Sequence, residues 1–354
     1  MGMEPNPVRI LVALSGGVDS SVAAAMLIDE GHRVEGATLK LWGGESDSGC
    51  CSVADVDDAR RVAQQLGIRH HVFNFGTDFD THVVDPYVAA HAEGLTPNPC
   101  VECNRHVKFD RLLHRAEQLG FDAIATGHHV RRVPLAEGGF GLARAVDRAK
   151  DQSYVVHMLG KAVVGRCLFP VGELTKAEVR QRATAMGLRT ADKPDSQDVC
   201  FIARTNGGRR TFLGSRIPLR SATVVDMAGA TLGTTDAVEL ITIGQRRGVG
   251  VAMGERRYVV DVDVPGQRVV LGGPDDLRAD HVLLGSLSWV DAPARDDEQV
   301  LVQCSAHGDP VAATVRSEGT RLEFSQPTHR VAPGQSVVMY RGDLVLGGGI
   351  AQRG

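Results

Sequence analysis

The chain has 354 residues, of which 43% are hydrophobic and 23% are charged, and its formal net charge is −4. This length predicts two or three domains. The slightly acidic balance excludes a uniformly basic nucleic-acid coat but does not exclude a local basic patch. No run approaches the roughly 18 apolar residues of a membrane span, and residues 1–7 lack the layout of a signal peptide. We therefore expect a cytoplasmic protein that has no membrane partner.

Predicted strands and helices alternate in the first part of the chain. The strand at 8–14 is apolar at nearly every position, as expected when both faces are buried. Later strands are predicted at 34–40, 69–75 and 121–126, with helices at 20–30, 55–66 and 79–93, then a loop at 96–104 and a helix to 119. This order predicts an α/β fold with a doubly wound parallel sheet.

The region after residue 126 is expected to stay helical to about residue 188. Thr175 and Glu178 have the spacing of a capping box, in which each side chain bonds the other's backbone N–H. This pattern predicts a helix that opens at Thr175 and ends at Met186, just before a glycine.

The C-terminal part of the chain is expected to be rich in β-strands. Short alternating runs appear from residue 221 onward, and Pro265–Gly266 predicts a hairpin between two of them. Asn206–Gly208 predicts a linker. We expect an α/β domain at 1–204, a small central β-rich domain at 205–280, and a C-terminal β-barrel at 281–354.

The segment 15–20, Ser-Gly-Gly-Val-Asp-Ser, lies between a buried strand and the start of a helix. Backbone N–H groups and the helix dipole favour phosphate there, and glycines let the backbone approach an anion closely. Asp19 is a candidate ligand for Mg²⁺ on those phosphates. The lysine of a P-loop and the spacing of a dinucleotide loop are both absent. The segment resembles the pyrophosphate loop of enzymes that split ATP into AMP and pyrophosphate.

Two cysteine segments could supply a nucleophile. Cys100 and Cys103 lie in a proline-rich stretch before a predicted helix, where the helix dipole lowers a thiol pKa. Their spacing also fits a zinc half-site or a redox pair, but no second pair completes a structural zinc site. Cys200 stands alone in a segment at 195–202 and could be a buried apolar residue. The odd total of seven cysteines argues against a secreted disulfide framework.

Taken together, the motifs resemble those of the bacterial tRNA 2-thiouridylases over nearly the whole chain. They appear in the family's order: SGGVDSS, TPNPCVECN, ATGHH, KDQSY, LFPVGELTK, DSQDVCFI, ITIGQRRGVG and PGQSVVMY. The resemblance implies an adenine nucleotide alpha hydrolase-like sheet as the first domain, with nucleotide-binding and catalytic roles. It also implies a tRNA substrate, ATP and Mg²⁺.

The resemblance assigns roles to particular residues. Cys103 matches the nucleophile and Cys200 the cysteine that carries a persulfide. A segment that contacts tRNA corresponds to Lys150, Asp151 and Gln152. The residues implied in ATP binding are Ala13, Leu14, Ser15, Gly16, Gly17, Val18, Asp19, Ser20, Leu39 and Gly127.

The resemblance further implies a reaction at the wobble uridine of tRNA. The uridine 2-oxygen is adenylated, and sulfur from a persulfide on Cys200 replaces it. Cys103 either releases that sulfur, ending in a Cys103–Cys200 disulfide, or attacks alongside it. A cysteine desulfurase or a relay protein is the expected sulfur donor.

Cys100 departs from some members of the family, which carry an aspartate there as a candidate acid or base. This departure leaves a second mechanism open. Cys100, Cys103 and Cys200 could together ligate a [4Fe–4S] cluster whose fourth iron carries the sulfur.

Two other classes of function remain compatible with the residues alone. One is a different ATP-pyrophosphatase, such as an amide-forming synthetase or a tRNA-lysidine ligase, which needs no paired cysteines. The other is a nucleotide-sensing RNA-binding module, which would bind ATP without releasing pyrophosphate.

Overall fold

The computed structural model describes residues 7–41, 53–195, 199–203, 207–251 and 256–354. Cys50 and Cys51, residues 196–198 of the DSQDVCFI motif, and Asn206 of the predicted linker lie outside the described residues. The chain divides into two compact units. The first comprises residues 1–83, 100–204 and 343–345, and the second comprises 84–99, 205–342 and 346–354.

A five-stranded parallel sheet forms the centre of the first unit, in the order β3-β2-β1-β4-β7. Its strands are β1 (Arg9–Ala13), β2 (Arg33–Lys40), β3 (His70–Asn74), β4 (Ala123–Ala125) and β7 (Cys167–Leu168). The predicted doubly wound sheet is confirmed. The chain leaves β1 toward β2 and later returns to its other side as β4, so the strand order reverses between β1 and β4. Sheets of this kind bind ligands at the carboxyl ends of strands beside such a reversal.

The helices of the first unit begin and end close to several predicted bounds. They are α1 (Val18–Asp29), α2 (Val53–Gln65), α3 (Gly76–Phe79), α5 (Pro99–Glu102), α6 (Leu112–Gln118), α7 (Lys161–Val164), α8 (Lys176–Ala185) and α9 (Cys200–Ala203). Short 3₁₀ turns occupy Ser153–Val156 and Pro170–Glu173. Helix α1 packs against α8 through a buried cluster that includes Val22, Val179 and Ala183. This packing brings the start of α8 to the loop after β1.

The structure corrects three sequence predictions in this region. The predicted loop at 96–104 already contains a helix, because Pro99 has the preset φ and the missing N–H that favour the first position of a helix. The helix predicted at 79–93 instead begins as α3, passes through a π-helix at Asp80–Val84, and ends as α4 (Asp85–Ala92). The prediction of helix from 126 to 188 is wrong over 130–144, which form a hairpin.

That hairpin consists of β5 (Val130–Pro134) and β6 (Phe140–Arg144), joined by a turn in which Gly138 and Gly139 both have positive φ. Leu344 pairs with Ala143 of β6, which places residues 343–345 in the first unit. The pairing depends on residues about 200 positions apart in the chain, so no local pattern predicts it.

The second unit contains the predicted β-rich region. A four-stranded sheet has the order β10-β11-β8-β9, built from β8 (Ala222–Asp226), β9 (Thr231–Thr235), β10 (Tyr258–Asp263) and β11 (Arg268–Gly272). Strands β10 and β11 are antiparallel neighbours around Pro265–Gly266, as predicted. The unit also contains α10 (Gly208–Gly214) and 3₁₀ turns at Val238–Leu240, Asp275–Leu277 and Ser317–Gly319.

The C-terminal strands close into the predicted antiparallel barrel, in the order β12-β15-β14-β13-β16-β17 and back to β12. They are β12 (Arg278–Trp289), β13 (Gln299–Gln303), β14 (Val311–Arg316), β15 (Arg321–His329), β16 (Ser336–Arg341) and β17 (Leu344–Ala351). Val302, Val315 and Val337 are fully buried in its core. Within the described ranges, no helix has both the length and the apolar character that crossing a membrane requires.

The capping box at the start of α8 is confirmed. Thr175 Oγ1 accepts from the backbone N–H of Glu178 at 3.3 Å, and the Glu178 carboxylate accepts from the backbone N–H of Thr175 at 2.7 Å. We expect Thr175→Ala to lower the free energy of unfolding by about 1 kcal/mol, because it removes an N-cap acceptor. Urea denaturation monitored by circular dichroism measures the change. Thr184→Ala, in the same helix, is the control. If the two variants lose equal stability, the cap does not stabilise the helix.

Candidate active site

The loop 15–20 follows β1 and opens α1 at the reversal of the sheet. Gly16 has φ of +72°, and a Cβ there would lie 2.5 Å from the Asp55 carbonyl oxygen, so glycine is required. Gly17 is the extended N-cap residue of α1. Ser20 Oγ donates to the Gly17 carbonyl at 3.1 Å and accepts from the Ser15 N–H at 3.3 Å. The loop is thus folded tightly upon itself at a helix N-terminus.

Gly127 lies just after β4, against the first turn of α1. A Cβ at Gly127 would lie 2.5 Å from the backbone nitrogen of Ser20 and 2.7 Å from the carbonyl carbon of Asp19. The two backbones therefore approach as closely as the absence of a side chain permits. Leu39, near the end of β2, is 7% exposed. Its predicted contact with the nucleotide stays a prediction.

Asp19 connects the loop to two other segments. Its Oδ1 accepts from His129 Nε2 at 3.1 Å, and both of its carboxylate oxygens lie 2.7 Å from Lys176 Nζ. Burial alone would raise the pKa of Asp19, but hydrogen bonds from His129 and Lys176 outweigh burial and hold the pKa below its usual value. Asp19 is therefore a carboxylate at neutral pH.

Asp195 shares Lys176 with Asp19. Its carboxylate lies 2.8 Å from each of Lys176 Nζ, Lys150 Nζ and Arg180 Nη2. Burial opposes ionisation, yet hydrogen bonds from Lys150 and Lys176 hold the pKa of Asp195 well below its ordinary range. A chain of ion pairs thus runs from the loop to a residue five positions before Cys200.

The three residues predicted to contact tRNA differ in how they are held. Asp151 accepts from Arg144 Nε and the Ala145 N–H, both at 2.9 Å, and its side chain is 4% exposed. Gln152 Oε1 accepts from the His129 N–H at 2.9 Å. The Lys150 side chain is 42% exposed beside Asp195. Of the three, Lys150 has the most accessible charge for a phosphate, and all three contacts stay predictions.

The two cysteine segments meet the same short helix, α3. Cys100 and Cys103 lie on the helical run formed by α5, a π-helix at Cys103–Arg111 and α6. Cys103 is 7% exposed, whereas Cys100 and Cys200 are half-buried. π-Helical turns are rare and frequently mark functional sites.

Two contacts attach these segments to α3. Arg111 Nε, at the end of the π-helix, lies 2.8 Å from Asp78 Oδ1. Phe201, next to Cys200, packs edge-on against Phe79 with ring centroids 5.7 Å apart. The structure therefore brings together on one element two segments that lie about 100 residues apart in the chain. Among the described residues, no group of three or more His, Cys, Asp or Glu side chains could hold a metal ion.

Two further cysteines have the properties of structural thiols. Burial raises the pKa of Cys167 and of Cys304 to about 12 in each case. Neither forms a thiolate at neutral pH, so neither is a nucleophile.

Sequence reasoning missed Lys176 and Asp195 as members of the site. The motifs LFPVGELTK and DSQDVCFI contain them, but the capping box predicts only a helix start at Lys176. Its partner Asp19 lies 157 residues away. A lysine at the first position of a capped helix, inside a recognised motif, was the available signal.

A loop that can hold phosphate, beside the reversal of a parallel sheet, defines a nucleotide-binding α/β enzyme class. Family models agree with this class. The model described as tRNA methyl transferase HUP domain matches residues 8–204. The models described as tRNA methyl transferase PRC-barrel domain and Aminomethyltransferase beta-barrel domain match residues 210–273 and 279–351. ATP binding fits the HUP family.

Two curated relatives align with nearly the whole chain. The tRNA-specific 2-thiouridylase MnmA of Chloroflexus aurantiacus is 46% identical over 96% of this chain and 97% of its own. The MnmA of Carboxydothermus hydrogenoformans is 41% identical over 98% of each chain. A solved 4-thiouridine synthetase–RNA complex with bound ATP is 19% identical, over 56% of this chain and 46% of that chain, with a TM-score of 0.36. That last likeness is too slight to carry an argument.

The chain belongs to the tRNA-specific 2-thiouridylase family. It is accordingly an enzyme of the tRNA sulfurtransferase class, and the resemblance drawn from its motifs is confirmed.

We expect Gly127→Ala to weaken ATP binding by roughly 10²-fold, because the new Cβ displaces the backbone of the loop, and a displacement of about 1 Å can have an effect of this size. Isothermal calorimetry with ATP measures the change. Gly160→Ala is the matched control, since a Cβ there meets nothing within 4 Å. Unchanged ATP affinity in Gly127→Ala would show that the loop 15–20 is not part of the ATP-binding site.

Proposed function

We propose that this enzyme uses ATP to adenylate the 2-oxygen of the wobble uridine of tRNA and replaces that oxygen with sulfur from a persulfide on Cys200. The attachment of both cysteine segments to α3, in the unit that holds the loop 15–20, is the observation that supports this proposal most. Chemistry that needs ATP activation and a thiol pair requires both features at one site, and here the same unit contains both.

The first step activates the uridine. Its 2-oxygen attacks the α-phosphorus of ATP, a P–O bond breaks, and pyrophosphate leaves. The residues proposed to bind ATP are those from Ala13 to Ser20, with Leu39 and Gly127. Backbone N–H groups at the start of α1 face the phosphates, where the helix dipole favours negative charge. The oxygen becomes part of an AMP leaving group.

The second step transfers sulfur. The Cys103 thiolate attacks the inner sulfur of the Cys200 persulfide, and a Cys103–Cys200 disulfide forms as hydrogen sulfide leaves. The outer sulfur gains the two electrons that the two cysteines lose. Hydrogen sulfide then attacks C2 of the uridine and displaces AMP. A thiol reductant resets the disulfide, and a cysteine desulfurase or a relay protein reloads Cys200. In the variant of this route, the persulfide attacks C2 directly and Cys103 then breaks the S–S bond.

The candidate ligands for Mg²⁺ and for an iron–sulfur cluster are different residues. Asp19, which is ionised and belongs to the loop 15–20, would hold Mg²⁺, and the metal would neutralise charge on the departing pyrophosphate. In the part of the chain that the structure describes, Cys100, Cys103 and Cys200 are not among any side chains grouped to hold a metal. The proposed route uses the persulfide, and the [4Fe–4S] cluster is the alternative that the assay below tests.

The tRNA has to present its wobble base to this site. A base that reacts at a ring atom must leave its stack, which costs least in a single-stranded loop. Lys150, Asp151 and Gln152 are proposed to contact the tRNA. Lys150 can pair with a phosphate. Gln152 bonds the backbone of His129, whose side chain bonds Asp19. This segment would thus connect bound tRNA to the loop.

The cysteine pair has a direct test. We expect Cys103→Ser and Cys200→Ser each to abolish formation of 2-thiouridine, because each removes one sulfur of the disulfide. In the wild-type enzyme, mass analysis under non-reducing conditions should find the two cysteines bridged after a single turnover, which requires Cα atoms within roughly 7 Å at that moment. Cys304→Ala is the control.

The same assay separates the persulfide route from the cluster. Protein purified without oxygen is analysed for iron and sulfide and then assayed with a persulfide donor. Full activity in iron-free protein supports the proposal. Activity that requires bound iron and is lost in Cys100→Ser contradicts it.

Binding of tRNA should weaken steeply with salt, since contacts to phosphates release counterions. We expect Lys150→Ala to weaken binding and to reduce the magnitude of the salt slope by about 1, with ATP affinity unchanged. Filter binding over a series of salt concentrations measures both. Arg60→Ala, an exposed cation on α2, is the control. A salt slope identical to that of the wild-type enzyme would exclude Lys150 as a phosphate contact.

A further inference from the structure

Lys176 places an ammonium group beside the loop 15–20, which contains no basic residue itself. Its Nζ lies 2.7 Å from both carboxylate oxygens of Asp19 and 2.8 Å from Oδ1 of Asp195, and its side chain is 12% exposed. Lysine is rarely buried to this extent unless it is paired. This ammonium is the cation that the fold brings to the loop from a distant part of the chain.

We infer that Lys176 is a catalytic residue that binds the β- and γ-phosphates of ATP and neutralises the charge on the departing pyrophosphate. The inference rests on the proposed function. Loops that cradle phosphate through backbone N–H groups commonly work with a lysine that reaches the outer phosphates. In this chain the lysine, Lys176, lies 157 residues after Asp19, the aspartate of the loop.

The backbone of Lys176 is also held in place, at the start of α8. Its N–H donates to Asp147 Oδ2 at 2.9 Å, and the capping box at Thr175 and Glu178 sets the direction in which α8 begins. Charge stabilisation is most effective when the charged group is already in place before the transition state forms. Lys176 meets this condition, because both its backbone and its ammonium are held.

Lys176 has two carboxylate partners and can exchange one of them for a phosphate. Three cations, Lys176, Lys150 and Arg180, share the ionised Asp19 and Asp195. Phosphate oxygens can replace Asp19 as the acceptor for the ammonium while Asp195 keeps Lys176 in position. The exchange frees the carboxylate of Asp19 for a metal ion on the same phosphates.

The test compares Lys176→Met, which removes the charge at similar length, with Lys176→Arg, which retains it. Competition against ATP gives the affinities for inorganic pyrophosphate and for AMP separately. Steady-state release of pyrophosphate with tRNA gives kcat/KM for ATP. Arg182→Ala, an exposed cation on the same helix, is the control. Melting temperatures establish that the variants are folded.

We expect Lys176→Met to lose affinity for pyrophosphate, to keep its affinity for AMP, and to lower kcat/KM for ATP by roughly 10²- to 10³-fold. Lys176→Arg should recover part of the loss, and Arg182→Ala should match the wild-type enzyme. The inference is overturned if Lys176→Met binds pyrophosphate with normal affinity. It is also overturned if the variant loses affinity for pyrophosphate and for AMP equally, as a purely structural role of Lys176 would require. A wild-type enzyme that releases no pyrophosphate would contradict the proposed function instead. Pyrophosphate binding would still test Lys176, since it needs no turnover.

Discussion

The ion pair between Asp19 and Lys176 is the interaction on which the candidate active site depends. Asp19 lies on the loop after β1, its second partner His129 lies after β4, and Lys176 opens α8. Asp19 and its two partners therefore join three separate segments at the reversal of the sheet. Both side chains are largely shielded from water, so removing either one leaves a poorly solvated charge.

The stability that the ion pairs of Asp19 and Asp195 contribute depends on pH. The pKa values of Asp19 and Asp195 are lower in the folded protein than their ordinary values because cations bond their ionised forms. The stability that these bonds contribute is present above the ordinary carboxyl pKa and is lost as the pH falls through the lowered values. At neutral pH both carboxylates are ionised, and the network of ion pairs is complete.

Much of the fold could be predicted from the sequence because its signals are local. The buried strand β1, the glycines after it, and the capping box at Thr175 each depend on residues within a few positions of one another. The hairpin at 130–144 could not be predicted, since β6 is also held by Leu344 from the far end of the chain. The helix over Cys100 and Cys103 was missed because the prolines before them predict a loop, although Pro99 in fact starts the helix.

The reactive residues of the site could be predicted from the sequence, but the contacts between its distant segments could not. The loop and the cysteines carry recognisable residues at characteristic spacings, whereas the pairing of Asp19 with Lys176 follows from the packing of α1 on α8. Likewise, the segments that carry Cys103 and Cys200 both contact α3 through Asp78 and Phe79, two residues of a single helical turn that no motif includes. Contacts between distant segments are set by packing, which a single sequence does not display.

In the proposed mechanism the uridine 2-oxygen itself attacks ATP. The most direct measurement uses tRNA labelled with oxygen-18 at the 2-position of the wobble uridine, incubated with the enzyme, ATP, Mg²⁺ and a persulfide donor. The proposed mechanism predicts that the label appears in AMP and that the nucleoside recovered from the tRNA is unlabelled 2-thiouridine. Formation of 2-thiouridine with unlabelled AMP would contradict the mechanism.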